Sequence, residues 1–199
     1  MLSSRPLPSL RARSGDRSRR RPGIGTLAAT ALLCLALTPV GPIFAPTPGE
    51  AGRADVILVL GPATASRLDL AKEMMESGHA ANLVVSTNSG HERFGARNLQ
   101  TCRVDQGYPV HCEQSAPFTT QGEVGLLQRL SEENGWHKAI VITSKTHATR
   151  ASLYIGRCYD READVIWPSE RLSVLRGVEE YFYQSAAFVK AFAVTNDCV

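Results

Sequence analysis

The sequence predicts an α/β protein, a three-layer α/β/α Rossmann-like sandwich on a mainly parallel sheet. Three observations predict it. Short apolar runs, each the length of one buried strand, recur from residue 55 onward. Segments with apolar residues at helical spacing separate most of them. The runs are continuous rather than alternating, as in strands covered on both faces. Strands that alternate with helices in this way form a parallel sheet with helices on each side.

"DVILVLG" (55–61) is the first strand and ends in glycine. "ATASRLDLAKEMMESG" (63–78) is a helix that Gly78 terminates. "NLVVS" (82–86) is the second strand, and the polar loop "TNSGHERFG" leads to an expected helix near 91–103. "YPVHCE" (108–113) is a short extended piece, followed by a helix over "TTQGEVGLLQRLSEENG" (119–135). "KAIVITS" (138–144) is a strand, "HATRASLYIGRCY" (147–159) a helix, and "ADVIWP" (163–168) the last strand. Residues 170–195 predict an amphipathic helix that packs through Tyr181, Phe182, Phe188 and Phe192. No internal repeat is visible.

This α/β domain (54–199) comes after a basic tail (1–22), a transmembrane anchor or signal segment (23–45) and a linker (46–53). The first 25 residues hold seven arginines and one aspartate, so a formal charge of +3 for the chain leaves the remainder at −3. A mildly acidic domain gives no argument for nucleic acid. The run from Pro22 to Gly49 carries no charge. Its apolar heart, "IGTLAATALLCLALTPVGPIFA", would reach roughly 33 Å as one helix, enough to cross a bilayer's hydrocarbon. Pro39 and Pro42 break its second half and leave about 15 clean residues, the length of a secretory h-region. Either form exports the α/β domain and keeps the basic flank in the cytoplasm. Gly49 and Ala51 match a cleavage site poorly, which favours an uncleaved single-pass anchor with the domain extracytoplasmic. Leu33 before Cys34 excludes a lipoprotein signal.

Cysteine usage agrees with export. Apart from Cys34 there are four, Cys102, Cys112, Cys158 and Cys198, and four cysteines allow three connectivities. The expected pairs are Cys102 with Cys112, around "DQGYPV", and Cys158 with Cys198, tying the chain's end to a helix. There is no CxxC or HxxxH spacing to hold zinc.

Open parallel sheets bind ligands beyond the carboxyl ends of their strands, and the unusual residues fall there. Gly61 is followed by Pro62, Thr64, Ser66 and Arg67. The second strand ends in Ser86, Thr87, Asn88, Ser89 and Gly90, and the fourth runs into Ser144, Lys145, Thr146 and His147. A helix starting near Thr146 presents unpaired N–H groups and a positive dipole end to an anion. Arg150 shares a helix face with His147, and its planar fork suits phosphate or carboxylate. Helix capping alone accounts for Ser144 and Thr146, and a Thr120–Glu123 capping box for that pair, but neither accounts for Arg150. If Glu123 faces the crevice instead, it and His147 form an acid/base pair. The glycines of a dinucleotide fingerprint, a GxSxG elbow and a Walker loop are all missing from the sequence.

The order of "DVILVLG", "SRLDLAKEMMESG", "LVVSTNSG", Glu113, "TTQGE" and "VITSKTHATRA" resembles the ElyC/SanA/YdcF family, whose function is not defined. The resemblance covers about residues 54–170 and is most specific in the T-S-x-x-H-x-x-R-A string. "LGP" stands where the family has a glycine-rich turn, and "STNSG" where it has S-G-G. The resemblance implies a Rossmann-like fold behind one membrane segment. It also implies a pocket of Gly61, Arg67, Ser86, Glu113, Thr120, Glu123, Thr143, Ser144, His147 and Arg150, to which Asn88 adds from the strand end. Glu123, His147 and Arg150 are the expected catalytic set and the others the ligand-binding set. By the same resemblance the protein serves envelope and peptidoglycan biogenesis, acting on a small phosphate-bearing or lipid-linked ligand. The alternative is a non-catalytic module for a nucleotide-like ligand such as S-adenosylmethionine, which one branch of the family binds. A structural partner in envelope assembly is a third expectation.

Overall fold

The computed structural model describes residues 24–88 and 92–198. The expected basic tail and the loop residues Ser89 and Gly90 lie outside them. The chain divides into two compact units, one ending at Leu37 and one beginning at Thr38.

The first unit contains helix α1 (Ile24–Leu37), 14 residues long. At 1.5 Å per residue it spans about 21 Å, against the ~30 Å of a bilayer's hydrocarbon. Among the described residues no helix is long and apolar enough to cross a membrane. The described residues of the apolar run form two helices rather than one. Proline lacks the N–H that continues a helix, and after Pro39 the chain makes a separate short helix, α2 (Val40–Phe44). That helix belongs to the second unit. Ile43 is fully buried there, and Thr149 Oγ1 donates to Pro42 O at 2.5 Å.

The second unit continues with β1 (Val56–Val59), α3 (Ala65–Glu76), β2 (Asn82–Ser86) and β3 (Val110–Glu113). It ends with α4 (Thr120–Asn134), β4 (Lys138–Ile142), α5 (Ala148–Cys158), β5 (Glu162–Ile166) and α6 (Val174–Ala193). All five expected strands pair in parallel, in the order β3-β2-β1-β4-β5. Successive strand side chains point to opposite faces. Val56, Leu58, Val84 and Val141 therefore pack with Leu127, Tyr154 and Ile155 of α4 and α5. Ile57, Val59, Val85, Ile140 and Ile142 pack with Ala71, Met74 and Met75 of α3. Helices cover both faces of the sheet, as a Rossmann-like three-layer sandwich requires.

Two helical expectations change. Of the helix expected near 91–103, the described residues 92–103 form two short 3-10 turns instead, Glu92–Phe94 and Gln100–Cys102. Leu99 is the buried residue among the described side chains of that stretch, so a helix would have no apolar face to dock. α6 does form, with half of the expected aromatic face. Its buried residues are Gln184 and Ala191, Tyr181 and Phe188 on the same row are half-buried, and Phe182 and Phe192 are exposed. The row that meets the domain therefore mixes polar, small and aromatic residues.

Both expected disulfides are present, Cys102–Cys112 with Cα atoms 5.9 Å apart and Cys158–Cys198 with 5.3 Å. Cys34 is exposed and takes no part in either disulfide.

Candidate functional site

Strand order reverses between β1 and β4, so the loops leaving these two neighbours go to opposite sides and open a crevice at their carboxyl ends. A cavity of about 840 Å³ lies there. Its walls are the β1–α3 turn (Gly61, Pro62, Thr64, Arg67), the first turn of α4, the segment Ser144–Arg150 and one side of α6.

The first turn of α4 delivers Glu123. Thr119 is the N-cap, and its Oγ1 accepts the Gly122 N–H at 3.2 Å. The expected Thr120–Glu123 capping box does not form, because the cap sits one residue earlier and leaves the Glu123 carboxylate free. That carboxylate crosses to β1, where Oε1 accepts the Gly61 N–H at 2.6 Å. Two glycines permit the approach. A Cβ on Gly122 would lie 2.0 Å from Pro117 O, and one on Gly61 would lie 3.0 Å from Phe118 Cζ and 3.1 Å from Glu123 Oε1. Burial pushes the Glu123 carboxyl up to about 7, against the pull of the Ser86 hydroxyl, the Gly61 N–H, Arg67 and Arg150. Ser86 leans toward this carboxylate, yet its buried Oγ completes no hydrogen bond of good geometry.

His147 is buried between two threonines. Its Nδ1 lies 2.8 Å from Thr143 Oγ1 and its Nε2 3.2 Å from Thr120 Oγ1. Burial holds its pKa well below the ordinary 6.5, and the nearby Arg150 and Arg67 charges lower it further. The ring is therefore neutral at pH 7, one nitrogen donating and the other accepting. Both nitrogens are already engaged within the protein.

Arg150 Nη1 donates to the same Thr120 hydroxyl at 3.2 Å, its Nε donates to Gln184 Oε1 at 3.0 Å, and its guanidinium lies 5.9 Å from the Tyr183 ring centroid. Arg67 spends Nη1 on two carbonyls, Leu60 O at 3.1 Å and Pro62 O at 3.0 Å. Its buried Nε has no partner. Desolvation is the main cause lowering both arginine pKa values, but a guanidinium remains charged at neutral pH. Among the described residues neither arginine forms an ion pair.

The hydroxyls at the α5 entry are not caps. Ser144 makes no side-chain cap bond and lines the cavity. Thr146 Oγ1 donates to Glu180 Oε2 at 3.0 Å, and Gln184 Nε2 donates to the same oxygen at 3.1 Å.

Of the residues expected at the site, Gly61, Arg67, Asn88, Thr120, Glu123, Ser144, His147 and Arg150 line the one cavity. Ser86 and Thr143 are buried next to it, beside Glu123 and His147. Glu113 is not part of it. It ends the edge strand β3, two strands away from the reversal, and its Oε2 pairs with Arg129 Nη2 at 2.6 Å on the surface. The wall from α6, with Glu180, Tyr183, Gln184 and Lys190, was not foreseen. The available signal was Glu180 and Gln184, four apart, beside Gly177 and Ala191 on a helix expected to pack. Among the described residues no group of three or more His, Cys, Asp or Glu side chains could hold a metal ion.

Fold and site together define a class: a Rossmann-like α/β domain with a buried and a half-buried guanidinium and a buried carboxyl, Glu123, in the cavity at its strand-order reversal. Comparison of the chain with protein-family models, with curated proteins and with solved structures gave no match.

Proposed function

We propose that the cavity binds a small phosphate-bearing molecule, with Arg67 and Arg150 as its anion anchors and Glu123 as the group that exchanges a proton with it. One observation carries this reading. Two arginines line one cavity and neither forms a direct ion pair among the described residues. Glu123, Glu170 and Glu180 act on Arg67, and Glu123 on Arg150, only at longer range. A desolvated cation without a close counter-ion favours an anionic ligand. A carboxyl titrating near 7 suits the site, because it can share a proton with a phosphate. His147 has no free nitrogen and serves by orienting Thr120 and Thr143 rather than by carrying protons. The disulfides and the arginine-rich start support a membrane-tethered protein outside the cytoplasm, and the resemblance extends the role to envelope biogenesis.

The test is thermal unfolding of the whole chain in rising concentrations of inorganic phosphate and of phenyl phosphate. A Tm that rises to saturation in both, and stays flat in the Arg150→Ala variant, is expected. Identical curves with and without either ligand would retire the reading. A non-catalytic module is the second reading, favoured by the full engagement of His147. It predicts the same rise in Tm without release of phosphate from phenyl phosphate.

A further inference from the structure

Glu180 on α6 and Arg150 on α5 line the same cavity, yet among the described residues they form no ion pair. Gln184 separates them. It shares a helix face with Glu180, four residues earlier, and it is 2 % exposed. A buried amide is costly unless its polar atoms find partners, and Gln184 has one on each side. Its Oε1 accepts the Arg150 Nε–H at 3.0 Å, and its Nε2 donates to Glu180 Oε2 at 3.1 Å. A guanidinium only donates and an ionised carboxylate only accepts, so the amide has one orientation here. Thr146 Oγ1 donates to the same Glu180 oxygen at 3.0 Å. The carboxylate is thus held at the entry to α5, one side chain removed from the guanidinium.

We propose that Gln184 is a positioning residue for Arg150, a neutral spacer that fixes the guanidinium and keeps the Glu180 carboxylate off it. The inference rests on Arg150 as the anion anchor proposed above. An arginine bonded directly to a carboxylate of its own must give up that pair before it takes an anion. An amide acceptor satisfies the same N–H and leaves the charge for the ligand. With Nε on Gln184 and Nη1 on Thr120 at 3.2 Å, the guanidinium is held from α6 and from α4 at once. It is therefore oriented before a ligand arrives, and α6 is part of the anion site.

The test exchanges the two residues in the full chain, Glu180→Gln together with Gln184→Glu. The exchange keeps net charge and side-chain size, and it leaves a carboxylate and an amide that can bond each other, Arg150 and Thr146. Only the place of the charge changes, since the carboxylate now meets Arg150 directly. Inorganic phosphate, titrated by calorimetry, is expected to bind at least about tenfold more weakly than to the wild type, with the Tm kept or raised. Wild-type phosphate affinity in the exchanged protein would overturn the inference. Gln184→Met is the second variant, because it keeps the volume and removes both bonds without adding charge. It should weaken phosphate about threefold, the worth of one hydrogen bond. A Gln184→Met protein that melts lower but binds phosphate as the wild type does would make Gln184 a packing residue and overturn the inference alone. A wild type that binds no phosphate would retire the anion site and the inference with it.

Discussion

Glu113 and Glu123 were both expected at the pocket, and the protein treats them in opposite ways. Glu113 ends the edge strand, half exposed, and is neutralised by Arg129 at 2.6 Å. Glu123 is buried at the strand-order reversal, bonded to a backbone N–H and near two arginines that form no ion pair. The arginines divide in the same way. Arg129 has directly paired carboxylates on two sides, and Arg67 and Arg150 have carboxylates only beyond ion-pair distance among the described residues. Surface charge pairs cost little to form and contribute little. Holding a charge inside the domain without a close partner is expensive.

The comparison breaks first at Gly122. A methyl there would strike Pro117 O at 2.0 Å, so Gly122→Ala should displace the first turn of α4, which carries Thr120 and Glu123. A loss of at least about 3 kcal/mol is expected in urea unfolding, together with loss of phosphate-dependent stabilisation. A near-wild-type midpoint would show that the turn moves freely.

Proton linkage comes next. The folded Glu123 carboxyl titrates near 7 and the unfolded one near 4.5, so the folded state binds its proton more tightly. The contribution of Glu123 is therefore fully present below about pH 4.5 and is lost as pH rises through 7, up to about 3 kcal/mol in all. His147 acts in the other direction. Its lowered pKa gives stability that is lost as pH falls below the unfolded value of 6.5. Glu123→Gln keeps an acceptor for the Gly61 N–H and removes only the first effect. The stability of the wild type relative to this variant should therefore grow from pH 8 to pH 5. Parallel profiles would place the Glu123 carboxyl in the ordinary range.

Arg150→Ala should weaken inorganic phosphate roughly 10- to 100-fold, the worth of one or two charge-assisted hydrogen bonds, as titration calorimetry would read. Arg129→Ala is the matched control and should have the smallest effect. Its pairs are half exposed, so stability should move by about 0.5 kcal/mol or less and phosphate affinity not at all. Equal effects of the two substitutions on phosphate would erase the distinction between the regions.

Much of this architecture was legible along the chain. Four apolar runs and one short extended piece, separated by helical spacing, can bury themselves only as a covered parallel sheet, and the five strands lie where those segments are. Cysteine number and spacing carried the disulfides. Glu123, His147 and Arg150 were legible as a group because their types are out of place at plain strand-to-helix joins. Glu113 misled, since a strand's end is visible in sequence but its rank in the sheet is not. The aromatic face of α6 held for Tyr181 and Phe188 but not for the exposed Phe182 and Phe192, because a period of 3.6 shows that a face exists and not what lies opposite it.

The sequence by itself determined the strands, most of the helices and the residue types gathered at the strand ends, since these arise from local periodicity and turn chemistry. Only the tertiary structure decided which strand ends are neighbours. It separated Glu123 from Glu113, enclosed His147 between Thr120 and Thr143, and brought Glu180 and Gln184 across to Thr146 and Arg150. Burial and electrostatics depend on distances between residues far apart in the chain, and those distances exist only once the sheet is assembled.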